Sequence, residues 1–149
     1  MSKSLRFTES IQAAPERVWE TMLARPTYEA WTRPFSEGST YEGTWGEGER
    51  IRVLGPGGCG VLAEVAAFRP AEFLSLHHIG EVRDGVEAPG LPESGGCAGP
   101  FENYTLTRLE TGTELVVEVD VKAEYEEFMA EAFPKALAIL RELCEEAAQ

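Results

Sequence analysis

Basic residues are scarce in this chain, and their scarcity limits the partners it can have. Lysine and arginine together number 13 against 26 acidic residues, which gives a formal charge of −13 at neutral pH. Such a charge repels phosphate backbones and anionic membrane surfaces, so we expect neither a nucleic-acid partner nor a membrane partner. Hydrophobic residues make up 43% of the chain, which is typical of a folded globular protein rather than a disordered one.

Cysteines are also few, and long apolar runs are missing. Cys59, Cys97 and Cys144 are odd in number and far apart, which argues against a disulfide framework and offers no metal-ligand spacing. No stretch resembles a signal peptide or a membrane span. We therefore expect a cytoplasmic protein with no metal and no cofactor. A length of 149 residues predicts one domain over 1–149, large enough to bury a core.

Short apolar segments divided by turns predict a mainly antiparallel sheet. Seven strands are expected, at Leu5–Ala13, Ser39–Trp45, Glu49–Leu54, Gly60–Phe68, Glu72–Ile79, Phe101–Leu109 and Thr113–Val121. After the first strand, Pro15 and Glu16 are typical of a helix start. Pro26 ends that helix and opens a second short one through Trp31. Residues Glu81–Gly99 contain five glycines and two prolines, and they predict a long loop that would cover a cavity mouth as a lid.

The C-terminal segment Glu124–Gln149 has the strongest helical pattern. Its apolar residues recur at steps of three and four, and Pro134 inside it predicts a kink or a short helix followed by a longer one. A sheet that is apolar on one face must bury that face, and this helix is the only large apolar partner available. The predicted fold is therefore α+β: a curved antiparallel sheet wrapped around a long C-terminal helix, called a helix-grip. Incomplete filling of the space between them would leave a cavity.

Several short motifs, taken in their order, resemble one superfamily. They are Ile11–Trp19, Trp31, Gly43 with Gly46–Gly48, Phe68–Leu74, Gly112–Leu115 and Phe133–Leu137. In this order they resemble the START-like, birch-pollen-allergen-like domains of the SRPBCC superfamily. The branch they resemble most is related to activators of the heat-shock chaperone ATPase. The resemblance covers nearly the whole chain and implies a hydrophobic cavity, with functions that range from ligand transport to cyclase and dehydratase chemistry.

His78 and Glu102 are the most interesting candidates for chemistry in a chain that has no complete catalytic motif. His78 shares the strand face of Leu74 and Leu76, so we expect it to point inward. If its strand pairs with the next one across the long loop, His78 would lie near Glu102, and Leu76 near Tyr104. His78, Glu102 and Tyr104 could then exchange protons with a ligand, or the polar pair could simply close the cavity mouth.

Aromatic and apolar residues supply the remaining candidates for a cavity wall, although each is also explained by ordinary packing of the helices on the sheet. The expected cavity-lining residues are Trp31, Phe35, Tyr41, Leu74, Leu76, His78, Glu102, Tyr104, Met129, Phe133 and Leu137. The leading hypothesis is a protein that binds or carries a small hydrophobic or aromatic ligand. The alternatives are a cyclase- or dehydratase-type enzyme and an interaction module resembling a chaperone cofactor. A homodimer is also possible.

Overall fold

The computed structural model describes residues 2–34, 39–54, 59–83, 86–89, 101–122 and 126–147. Within these ranges the chain forms eight strands and three helices. In chain order they are β1 Ser2–Ile11, α1 Pro15–Leu23, α2 Arg25–Trp31, β2 Thr40–Glu42, β3 Arg50–Leu54, β4 Cys59–Arg69, β5 Phe73–Arg83, β6 Val86–Pro89, β7 Phe101–Leu109, β8 Gly112–Lys122 and α3 Glu126–Ala147. The predicted α+β helix-grip fold is confirmed.

The sheet is antiparallel throughout and follows the order β1-β8-β7-β5-β4-β3-β2, with β6 paired to β5 beside this path. Two register shifts interrupt the pairing of β4 with β5, one at Leu62/Ala63 and one at Val65/Ala67. Such bulges bend a strand and increase its twist, which helps a sheet to curl. The curl turns one face of the sheet into a concave inner face, and the helices cover that face.

The predicted loop at Glu81–Gly99 is wrong in its first part. There β5 continues to Arg83 and pairs with β6, with Arg83 opposite Val86 and Gly80 opposite Pro89. Only Asp84 and Gly85 separate the paired residues, and Asp-Gly is the dipeptide that most favours a two-residue hairpin connection. The glycine and proline content of this region concealed the hairpin signal. Residues 90–100, the rest of the predicted lid, lie outside the described residues.

Helix α3 is fixed to the sheet along its second half. Its residues Leu137, Leu140 and Cys144 are buried at helical spacing. Arg141 donates a 2.8 Å hydrogen bond to the Glu9 carboxylate of β1. At the end of β1, the Gln12 backbone N–H donates to Glu145 at 3.0 Å. These contacts fix the position of the helix along β1.

An aromatic stack joins the first half of α3 to β1. Phe133 lies against Phe7 of β1, with ring centroids 4.9 Å apart. The helix runs unbroken past Pro134, which is exposed, so the alternative of two separate helices is wrong. Because Pro134 and Ala130 are both exposed, the Ala130 carbonyl oxygen, which loses its helical donor at Pro134, can bond to water instead.

Side-chain hydrogen bonds to backbone carbonyls fix the two short helices beside the sheet. The indole Nε1–H of Trp31 donates to the Met22 carbonyl oxygen at 3.0 Å, which joins the end of α2 to α1. The Tyr41 hydroxyl of β2 donates to the Leu23 carbonyl oxygen at 2.5 Å. The α1–α2 junction is therefore held against β2, the strand at the end of the sheet opposite β1.

Gly112 gives a direct test of the packing where β8 begins. A Cβ atom at Gly112 would lie 2.2 Å from the Ile11 carbonyl oxygen and 3.0 Å from the Gln12 Cα, so β1 and β8 could not keep their spacing. We expect Gly112→Ala to lower the free energy of unfolding by about 2–3 kcal/mol, as overpacking does, in urea denaturation followed by circular dichroism.

Gly48→Ala is the matched control for this substitution. Gly48 has φ +84 but open space around its Cβ position. An alanine there introduces backbone strain but no clash, so the free energy of unfolding should fall by only about 1 kcal/mol. Equal losses in the two variants would contradict the close contact between β1 and β8.

Candidate functional site

Three polar side chains meet on the inner face of the sheet. His78 of β5 is only 4% exposed, and its Nε2 lies 3.8 Å from Glu102 Oε1 on β7. The Tyr104 hydroxyl donates a short hydrogen bond to the other oxygen of Glu102, Oε2. The expected inward orientation of His78 and its proximity to Glu102 are confirmed. The 3.8 Å separation is too long for a direct hydrogen bond.

The pairing of β5 with β7 differs by two residues from the expected one. Tyr104 lies opposite Leu74, and Glu102 lies opposite Leu76, whereas the sequence suggested Leu76 near Tyr104. The reason is the connection between β5 and β7. Its length does not determine which residues pair, and the chain inserts the β5–β6 hairpin before β7 begins. Every shifted residue keeps its face because the shift is an even number, so the polar cluster still forms.

The charge of Glu102 affects two buried tyrosines. Burial raises the pKa of the Tyr104 hydroxyl well above its ordinary value, and the Glu102 charge and its hydrogen bond add to this. Burial and then the same carboxylate raise the pKa of Tyr28 on α2. A phenolate beside a carboxylate would bring two negative charges together, so both hydroxyls stay protonated. Tyr28 therefore shares the electrostatic environment of Glu102.

A series of aromatic rings in contact extends from α2 to the segment after β2. The Tyr28 ring lies 4.9 Å from that of Tyr41 and 5.6 Å from that of Trp31, and the Tyr41 ring lies 5.1 Å from that of Trp45. All three pairs are edge-to-face, a favoured arrangement of aromatic quadrupoles. Trp31 and Tyr41 were predicted. Tyr28 was missed, although its position three residues before Trp31 places both on one helix face. Phe35 lies outside the described residues.

The predicted apolar residues pack in the core around the cluster. Leu74 and Leu76 of β5 are buried on the inner face, and Phe133 and Leu137 of α3 are buried above it. Met129, one turn before Phe133, is only partly buried against the same core. The structure therefore brings the described candidates to one interior region, and those nearest the start of α3 are the least enclosed.

Partial exposure of inward-facing residues indicates where this interior reaches solvent. Glu102 shares its strand face with buried Tyr104 and Leu106, yet 23% of its side chain is exposed. Leu5 of β1 and Val53 of β3 also face inward and are only partly buried. Solvent thus reaches the inner face on this side of the sheet, and we call Leu5, Val53 and Glu102 the open end.

Two grooves also run along the outside of α3. One, of about 500 Å³, lies between α3 and the end of α2 and is lined by Arg33, Pro34, Phe128, Glu131, Ala132, Lys135 and Ile139. The other, of about 470 Å³, lies between α3 and α1 and is lined by Arg17, Glu20, Thr21, Ala24, Thr27, Leu143 and Glu146. Charged, exposed residues form much of both walls, and neither groove includes His78 or Glu102.

Metal-binding clusters and membrane-spanning helices are both missing from the part of the chain that the structure describes. Among those residues, no three histidine, cysteine or acidic side chains are grouped closely enough to hold a metal ion. None of the described helices combines the length and the apolar character needed to cross a bilayer.

Comparisons with known proteins identify the fold. No family model and no curated protein matches the chain. A structural-genomics protein from Mesorhizobium loti has a TM-score of 0.75 at 18% identity, over 97% of this chain and 98% of that one. The Aha1 dimer from Colwellia psychrerythraea has a TM-score of 0.62 at 20% identity, over 96% and 94%. DynU16, a protein of the dynemicin biosynthetic locus, has a TM-score of 0.69 at 18% identity, over 95% and 47%. At these identities the likeness establishes the fold alone, which is the helix-grip fold.

The raised pKa values of Tyr28 and Tyr104 predict a loss of stability at alkaline pH. Up to about pH 10 both tyrosines are protonated in the folded and the unfolded chain. Above it the unfolded chain releases these protons and the native protein keeps them, so the free energy of unfolding falls as pH rises. Each tyrosine contributes a slope of about 1.4 kcal/mol per pH unit. Tyr28→Phe and Tyr104→Phe should each remove one tyrosine's contribution to the fall of the free energy of unfolding with pH, measured by urea unfolding between pH 9 and 11. Absorbance at alkaline pH that reports all four tyrosines ionising normally in the native protein would contradict this.

Proposed function

We propose that this protein binds a small hydrophobic or aromatic molecule in a cavity between the inner face of the sheet and α3. The observation that carries the proposal is Glu102: a carboxylate that faces the apolar inner side, is bonded by a buried tyrosine and still reaches solvent. Burying a charge among apolar side chains is costly, and such groups cluster at functional sites. The same position on a surface strand would carry no such cost.

The surroundings of Glu102 favour a ligand that is mostly apolar. Edge-to-face rings of Tyr28, Trp31 and Tyr41 form one wall, and Leu74 and Leu76 form part of the floor. Binding sites for small molecules commonly combine such apolar walls with a few polar groups that fix orientation. Here His78, Glu102 and Tyr104 would supply the polar groups, at the side where the interior reaches solvent.

Val53 allows the cavity to be blocked without disturbing the polar cluster. Val53 faces inward at the open end and is only partly buried, so Val53→Trp should fill the entrance with an indole ring. We expect native mass spectrometry of the protein, purified from the cells that make it, to detect a bound organic molecule that is released on unfolding. Val53→Trp should lose that molecule.

Leu54→Trp is the control, because Leu54 neighbours Val53 on β3 and points to the opposite face of the sheet. It should keep the bound molecule. A wild-type protein that purifies empty and gains no thermal stability from a panel of apolar and aromatic compounds would contradict the proposal and favour an interaction module.

A second candidate function is proton-transfer catalysis of the cyclase or dehydratase type, and one observation favours it. Glu102 lies between the Tyr104 hydroxyl and the His78 imidazole, so three groups able to accept or donate protons face one space. Glu102→Gln would keep the shape of the site but remove the base.

The identity of the bound molecule separates catalysis from binding. If the protein is such an enzyme, Glu102→Gln should hold the unreacted substrate and wild type the product. After a dehydration, or a ring closure that loses water, the two differ in mass by one water. A ring closure without that loss leaves the mass unchanged and is read from the fragmentation pattern of the released molecule. Identical masses and fragmentation patterns in wild type, Glu102→Gln and His78→Ala would contradict the catalytic function and leave binding alone. Homodimerisation, which the dimeric state of the Colwellia protein makes worth measuring, stays a prediction.

A further inference from the structure

The indole N–H of Trp45 is buried and lacks an acceptor. Its Nε1 makes no hydrogen bond with any part of the chain that the structure describes. An indole nitrogen can only donate, so no rotation of the ring turns it into an acceptor. Buried polar groups in native proteins are almost always paired, and an unpaired one calls for an explanation. The contrast with Trp31 is direct, because its Nε1–H donates to the Met22 carbonyl oxygen at 3.0 Å.

The segment that carries Trp45 is held by backbone hydrogen bonds on its C-terminal side. The Gly48 N–H donates to the Val65 carbonyl oxygen at 2.9 Å, and the Val65 N–H donates to Glu49 at 2.9 Å. The Glu49 N–H closes a turn on the Gly46 carbonyl oxygen at 3.0 Å. The turn is thereby tied to β4 immediately after Trp45.

Its N-terminal side is fixed by a close approach at Gly43. Gly43 has φ +122, and a Cβ there would come within 2.7 Å of the Arg50 carbonyl oxygen, so only glycine fits. With both sides of the segment fixed, the indole is presented in a defined position, and the missing acceptor is not explained by a loose turn.

Trp45 belongs to the same wall as the polar cluster. Its ring contacts Tyr41, the Tyr41 ring contacts Tyr28, and the pKa of Tyr28 responds to the charge of Glu102. Trp45 packs partly buried against the core, as Val53 does. The aromatic wall therefore has a carboxylate near one end and an indole donor without an acceptor at the other.

We infer that the Trp45 Nε1–H donates a hydrogen bond to an acceptor oxygen of the bound molecule, and that the site selects planar compounds that carry a carbonyl-type oxygen and no negative charge. The inference rests on the proposed function and adds the residue that determines specificity. A negatively charged ligand is disfavoured because Glu102 and a net charge of −13 oppose an anion. A planar ligand is favoured because the wall between the two polar ends consists of aromatic rings.

The test compares two compounds of similar shape, 2-acetylnaphthalene and 2-ethylnaphthalene, of which only the first has an acceptor oxygen. Equilibrium dialysis would give the ratio of their dissociation constants for wild type, Trp45→Phe and Trp19→Phe. Trp45→Phe reduces the ring area for both compounds but removes the donor for the ketone alone. We expect it to reduce the wild-type preference for the ketone by about 3- to 10-fold, the usual range for one neutral hydrogen bond.

Trp19→Phe is the matched control. It also removes an indole N–H, but Trp19 lies on α1 against Phe68, with ring centroids 5.3 Å apart, and outside the aromatic wall. It should therefore leave the ketone-to-hydrocarbon ratio unchanged. A second readout is the indole N–H spectrum of ¹⁵N-labelled protein. The Trp45 signal is assigned as the one that disappears in Trp45→Phe. In wild type it should shift downfield when the ketone binds and stay in place when the hydrocarbon binds.

The outcomes of this test distinguish failure of the Trp45 inference from failure of the proposed binding function. An unchanged ratio in Trp45→Phe, or an indole signal that ignores the ketone, overturns the role of Trp45 while the binding function stands. Binding of the hydrocarbon but not the ketone also overturns it, because the donor would then face away from the ligand. If neither compound binds, selection of planar ketones is wrong, and the native mass measurement alone decides whether the protein carries a ligand.

Discussion

The closure of α3 over the concave face of the sheet is the constraint on which the rest of the structure depends. Strands β1, β8, β7 and β5 all present apolar side chains to one side, and α3 is the longest of the three described helices that cover it. Towards the end of α3, Arg141 and Glu145 bond to β1 and its connection to α1. Towards its start, Phe133 stacks on Phe7, and Met129 is partly buried. The open end lies on the side of the sheet where α3 begins.

The polar cluster makes sense only inside this closure. A carboxylate on an exposed strand has little effect on its neighbours, because water screens its charge. On the inner face, the charge of Glu102 is felt by Tyr104 and by Tyr28, which comes from a different element. The cluster thus connects the sheet with α2 electrostatically, while Trp31 and Tyr41 connect the same region by hydrogen bonds to α1. A polar region of this kind weakens the core it occupies, which is why we assign it to function rather than to stability.

Much of the fold was predictable because it follows from local signals. The period-two alternation of Thr113–Val121 and the helical spacing of Leu137, Leu140 and Cys144 predict their elements directly. The site was predictable in part, since parity alone places His78 and Glu102 on the inner face. The β5–β6 hairpin was missed because Asp84-Gly85 lies in a region rich in glycine and proline. The predicted register of β5 against β7 was wrong by two residues, because pairing across a long connection depends on contacts far apart in the sequence.

The sequence by itself determined the elements, their order and the face on which each strand residue lies, because these depend on neighbouring residues and on fixed backbone periods. Only the tertiary structure decided how residues from different elements are placed: Tyr28 within the field of the Glu102 charge, the Trp31 indole on the Met22 carbonyl oxygen, and the Trp45 indole N–H with no acceptor among the described residues. These contacts depend on the curl of the sheet and on the angle at which α2 and α3 cross it. The curl and the crossing angle are collective results of packing, and no single segment of the chain encodes them.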